Sequence, residues 1–249
     1  MSAIGATPST AAGQSSLAQR AASTIRHPLS RALLVLTFTT GLVDAVSYLG
    51  IGHVFTANMT GYIVFLGFGI AGSGGLPVVA PLISLTAFLA GAGTGGVLAS
   101  RLAQRHAQHI ARALLIEALL LSLAAIVAAT VTVRADAVSG DAVIAMLAFA
   151  MGVRNATIRR IAVPDLTTTV LTMTLTGLAA DSQLFGGSGK GSVRRTSAVL
   201  AMLLGALAGA LLLKTSLFLP LAVAAALAFT TFFAYPPAAR RQEGAQKTP

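Results

Sequence analysis

A chain of 249 residues that is 55% hydrophobic and only 10% charged, with a mean hydropathy of +0.81, has too little charge for a soluble domain, where about a quarter of residues are charged. Its charges gather in short clusters between long apolar runs, so the sequence reads as a polytopic integral membrane protein, and the formal net charge of +10 reflects basic flanks of membrane spans rather than a nucleic-acid partner. The absence of cysteine excludes disulfides, thiolate metal sites and thiol nucleophiles.

Residues 1–28 are rich in Ser, Ala, Thr and Gly and lack the apolar core of a signal peptide, which predicts a disordered N-terminal tail. Six stretches then have the length and apolarity of spanning helices: 32–50, 78–100, 113–133, 142–158, 196–213 and 215–235. Residues 54–72 ("VFTANMTGYIVFLGFGIAG") and 165–183 ("DLTTTVLTMTLTGLAADSQ") are comparably long but rich in Thr. The membrane domain is thus expected over 29–235, followed by a disordered tail at 236–249.

Lysine and arginine in short loops stay on the cytoplasmic side, so charge arbitrates between topologies. If both Thr-rich segments enter and leave on one side, 15 of the 17 basic residues fall inside with both termini, leaving Arg134 and Lys214 outside. Eight full spans divide the charge poorly. The expectation is an all-α bundle of six spans plus two re-entrant segments, with full spanning of 54–72 and 165–183 as the alternative.

The halves share a plan. "GLVDA" at 41–45 and "GVRNA" at 152–156 lie 111 residues apart, and the GxxxG pairs Gly91/Gly95 and Gly205/Gly209 lie 114 apart. Repeat one is read as about 31–133 and repeat two as about 141–235. In the six-span topology they have opposite orientation, an inverted 3+3 repeat of the kind that builds many transporters. The same glycines are helix-packing faces on which two copies of the chain could meet.

The candidate site follows from this plan. Pro164 and Asp165 precede Thr167 and Thr168, so a helix plausibly starts at Asp165 with its positive dipole end toward a cavity. Thr56, Asn58 and Thr60 stand in the corresponding place of the first half. The alternative is that the Thr hydroxyls bond back to their own helix. Asp44 lies inside the first span, where an ionisable group costs about 2.5–3.5 kcal/mol on insertion scales and so faces the bundle interior. Its counterpart at the repeat offset is Asn155, next to Arg154. Asp44 is read either as a proton, cation or substrate site or as half of a structural polar pair.

Glu117 is expected to snorkel to the cytoplasmic interface. His106 and His109 are expected in a basic amphipathic linker lying on anionic lipid headgroups rather than in a metal site. Arg159 and Arg160 read as topology anchors. No nucleophile elbow, HExxH or P-loop occurs, so no catalytic residue, enzyme activity, metal or cofactor is expected.

Two segments carry a family resemblance. "GLVDAVSYLGIGHVFTANMTGYIVFLG" and "GVRNATIRRIAVPDLTTTVLTMTLTGLAAD" resemble the YoaK-like family of bacterial inner-membrane proteins, with a V-F-x-A-N-M-T-G motif at 54–61 and V-P-D-L-T-T-T-V-L-T at 163–172. The resemblance covers about residues 30–235 and implies a bacterial cytoplasmic membrane and about six helices. The family's function is not known, so it implies no substrate. The sequence leaves a small-solute transporter or channel, sited between two Thr-rich broken helices, against a membrane protein with an assembly or signalling role.

Overall fold

The computed structural model describes residues 28–72, 78–102, 106–161, 171–182, 186–189 and 191–246, with side chains omitted for 28, 106, 161 and 236–246. The described residues form helices and no strand. In chain order these are α1 (Pro28–Ala45), running directly into a π-helical segment (Val46–Gly52), α2 (Thr60–Ile70), α3 (Val79–Arg101), α4 (His106–Thr130), α5 (Val138–Ile161), α6 (Leu171–Ala180), α7 (Ser192–Leu213) and α8 (Phe218–Gln246). Six of them are long and apolar enough to cross a membrane. At about 1.5 Å per residue, the 11 residues of α2 reach about 16 Å and the 10 of α6 about 15 Å, half of a hydrocarbon core of about 30 Å.

Local sequence explains the helix ends. Pro28, Pro81 and Pro220 fall in first turns, where the missing N–H would have no helical partner. Hydroxyls inside the spans are absorbed by the preceding turn: Thr37, Thr39 and Thr40 donate to the carbonyls of Leu33, Val35 and Leu36 at 2.8, 2.9 and 2.9 Å. The π segment ends at His53, which is left-handed (φ 56°) and donates its N–H to the Tyr48 carbonyl. Helix α8 runs to Gln246, past the end of its apolar span, where the sequence reading places an unstructured tail. Ala238, Ala239, Arg240, Arg241 and Gln242 are all strong helix formers.

Helix directions can be read from contacts. Leu33 packs with Ile158, Arg154 bonds to Thr40, and Gly52 lies beside Ile144, so α1 and α5 run in opposite directions. At the start of α4, Ile110 and Leu114 pack with Phe232 and Tyr235 near the end of the α8 span, so these two also oppose. By contrast α1 and α7 run in parallel, as do α3 and α5. Arg31, Arg101, Arg112, Arg159, Arg160, Arg194 and Arg195 therefore collect at one end of the bundle, and Arg134 and Lys214 at the other.

The parallel pairs are built on glycine. A Cβ on Gly91 would strike the Phe149 carbonyl, and one on Gly205 would strike the Phe38 carbonyl. A Cβ on Gly95 would lie 2.9 Å from the Val153 oxygen and 2.8 Å from the Ala156 Cβ; on Gly209 the same distances recur to the Leu42 oxygen and the Ala45 Cβ. Gly152 and Gly41 return the favour against Phe88 and Ala92, and against Met202 and Ala206. Every pair of partners is offset by 111 residues on one side and 114 on the other. The GxxxG faces expected to serve a second copy are thus filled by helices of the same chain, because backbone this close leaves no room for another helix.

The outer surface is apolar. Ile63, Phe65, Phe68 and Ile70 on α2, Leu119, Leu123 and Ile126 on α4, and Leu203, Leu207 and Leu211 on α7 all face outward. Asp44, Glu117, Arg154 and the hydroxyls of Thr39, Thr40, Ser47 and Thr56 sit inside instead, the reverse of a soluble protein.

Candidate functional site

Two polar constructions occupy the interior. The first is a clasp around Asp44, which is 5% exposed. After the π segment the chain turns back along α1, so that the Thr56 and Ala57 amides donate to Asp44 Oδ1 at 3.2 and 3.3 Å, and the Thr56 hydroxyl approaches it at 3.4 Å. Asp44 precedes the end of the π segment by eight residues, so this loop dips about 12 Å below the turn before α2 begins. The loop is pinned from its other side as well. Tyr62 and Ser84 both donate to the Phe55 carbonyl, at 2.5 and 3.1 Å, and Tyr48 stacks on Phe55 at 4.6 Å. Single-turn π segments within α-helices are frequent at functional sites.

The second construction is an ion pair. Arg154, on α5 and 2% exposed, meets both oxygens of Glu117, on α4 and 1% exposed, through the Nε–Nη2 edge of its guanidinium. Its Nε donates to Glu117 Oε2 at 2.9 Å, and Nη1 donates to the Leu36 carbonyl at 2.7 Å and the Thr40 hydroxyl at 2.6 Å. Glu117 lies 11 residues into α4, about 16 Å along a helix of 25 residues, close to mid-span. A cavity of about 20 Å³, room for about one water, lies between this pair and the basic end of the bundle, lined by Leu33, Leu36, Ile110, Thr157 and Tyr235. His109, 4% exposed, stands 3.4 Å from the Thr157 hydroxyl.

These placements sort the expected site residues. Asp44, Thr56 and Arg154 are buried and engaged, and Asn155 is half-buried on the same helix as Arg154. Asn58 and Thr60 are exposed, away from the clasp, since the backbone amides of Thr56 and Ala57 do the binding instead. Asp165, Thr167 and Thr168 lie outside the described residues. On α6 the Thr176 hydroxyl bonds back to the Thr172 carbonyl, the local arrangement weighed for the Thr-rich segments.

Three expectations need correction. Glu117 does not snorkel; it is buried because Arg154 reaches it from the neighbouring helix. Arg154, counted among the 15 basic residues on the inner side, lies within α5 at the level of Thr40. His109 is buried against α5 rather than lying on a lipid-facing linker, because α4 begins at His106. The signal for the ion pair was present: one acidic and one basic residue, each isolated within an apolar span, are expected to find each other.

A bundle with an apolar exterior, six spanning helices and charge held to its two ends and its interior is an integral membrane protein. The chain belongs to the family described as "Protein of unknown function (DUF1275)", which matches residues 32–234. It is 33% identical over 155 residues to the UPF0700 transmembrane protein YoaK of Bacillus subtilis (strain 168). That match covers 60% of this chain and 65% of the relative, so the chain spans just under two thirds of the relative's length. No solved structure matches.

Proposed function

We propose that this protein is a small-solute transporter of the bacterial cytoplasmic membrane, with both termini cytoplasmic and its site where the two halves of the bundle meet. The observation that carries the reading is the placement of Asp44 and of the Arg154–Glu117 pair near mid-span, on α1, α4 and α5, with a small cavity beside the pair. Ionisable groups at membrane depth are expensive and typically line solute or proton paths.

The topology is read as six spans with α2 and α6 returning to the side they entered from. The opposed directions of α1 and α5, and of α4 and α8, support it: a full crossing by α2 or α6 would reverse one of these relations. The recurrence of the glycine contacts at offsets of 111 and 114 supports an inverted repeat in which each half's first helix packs on the other half's second long helix. With no native cysteine to interfere, single cysteines at His53 and Ala71 are expected to react with an impermeant reagent from the same outer side. Reaction of Ala71→Cys only from the cytoplasm would restore a full span.

The function is tested by uptake of labelled small anions, cations and neutral solutes into vesicles holding the purified protein. At least one is expected to accumulate only with protein present, and Asp44→Asn is expected to abolish that uptake with little change in thermal melting. Folded protein that moves none of them, yet co-purifies with a stable partner, would favour the assembly or signalling reading.

A further inference from the structure

We infer that the Arg154 guanidinium is a binding site for a small carboxylate anion, which Glu117 holds when no solute is bound and yields by taking up a proton. The inference rests on the transport reading and deepens it by naming the solute class and the coupled ion.

Three observations carry it. First, the bundle does not need a charge at this place. Val43 stands 111 residues before Arg154, at the corresponding position on α1, and is fully buried in an apolar cluster. The helix seams on either side of these two residues repeat each other to within 0.1 Å at Gly95 and Gly209, so the same packing is achieved with valine in one half and arginine in the other. Second, the Arg154 fork is already shaped for a planar carboxylate: Nε and Nη2 face the two Glu117 oxygens, while Nη1 is anchored separately on Leu36 and Thr40. Exchanging one carboxylate for another leaves that anchor in place. Third, the small cavity on the basic-end side of the pair has Arg154, Glu117 and Thr157 among its lining residues, in a wall that is otherwise apolar.

The exchange balances. Arginine and ionised glutamate are jointly neutral; arginine, protonated glutamate and a monocarboxylate are neutral too. Each anion therefore enters with one proton, carried on Glu117, and no uncompensated charge is left at membrane depth. The ionisable groups around Glu117 are Arg154 on α5, His109 on α4 beyond Thr157, Tyr235 on α8 at the cavity wall, and Asp44 on α1, within electrostatic reach of Arg154. With room for about one water, the cavity admits a carboxylate only as the Glu117 side chain withdraws, which favours the smallest, formate and acetate.

The test uses purified full-length protein and sodium acetate, with sodium chloride as the control. Acetate is expected to raise the melting temperature by several degrees at pH 5.5 and by less than a third of that at pH 8. In weakly buffered solution about one proton should be taken up per acetate bound. Glu117→Gln, which mimics the protonated side chain, should bind acetate equally at both pH values, and Arg154→Gln should not bind it. Wild-type protein that gains nothing from acetate at pH 5.5, or that binds it without proton uptake, overturns the inference even if the variants fail to fold. Transport of some other solute without acetate binding would remove this site and leave the transport reading standing; acetate binding without transport would do the reverse.

Discussion

Val43 and Arg154 occupy corresponding positions in the two halves of the bundle, on helices joined to their neighbours by the same glycine contacts. One position is filled by an aliphatic side chain and the other by a cation whose charge must be met by Glu117. One residue further along, Asp44 and Asn155 also correspond, and there the charge is in the first half. At these two positions each half thus carries one ionisable residue that the other replaces with a neutral one. Glycine positions are alike in both halves because backbone proximity allows nothing else. The charged positions differ because packing does not dictate them.

The largest effect should come from breaking the ion pair. Glu117→Ala strands a buried guanidinium and is expected to cost about 3–5 kcal/mol in thermal or denaturant unfolding. Val43→Ala at the corresponding site only removes two buried methyl groups, for about 2 kcal/mol. If the two cost the same, the asymmetry between the halves carries no energetic meaning.

Next come the seams. Gly91→Ala and Gly205→Ala each drive a Cβ into the carbonyl of Phe149 or Phe38, and both should lose about 1–3 kcal/mol or more, by equal amounts. Gly93→Ala, where a Cβ meets nothing within 4 Å, should be neutral or gain up to about 1 kcal/mol from helix propensity. Unequal losses at Gly91 and Gly205 would show that the halves are not built alike.

Asp44→Ala leaves the Thr56 and Ala57 amides without their acceptor and should cost about 1–3 kcal/mol, with faster amide exchange confined to residues 54–60. Smallest is Tyr62→Phe. It removes one of two donors to the Phe55 carbonyl, and because Ser84 still serves that oxygen the loss should be about 0.5–1.5 kcal/mol, read by the same exchange measurement.

The six spans were legible because about 20 apolar residues in a row have few alternatives. The GxxxG pairs were legible as packing faces, but sequence spacing alone could not say that their partners were Phe38 and Phe149 of the same chain. Asp44 was found as an isolated acid in an apolar run. Its partners were not, since backbone amides leave no mark in a sequence. For Glu117 the error was one of depth: four residues into an assumed span suggested an interface, whereas α4 begins at His106 and carries it to the middle. Asn58 and Thr60 drew attention by polarity, yet the neighbouring Thr56 and Ala57 make the contact.

The central claim is that Arg154 and Glu117 are kept for what they bind and not for what they hold together. It is tested most directly by the unfolding free energy of the double variant Glu117→Leu/Arg154→Met beside the two single variants. Replacing a buried pair by apolar side chains of similar volume is often neutral or stabilising by about 1–4 kcal/mol, although each single change is costly. The double variant should therefore be at least as stable as the wild type. A double variant that loses as much as the two singles combined would mean that the pair is architectural, and would contradict the account.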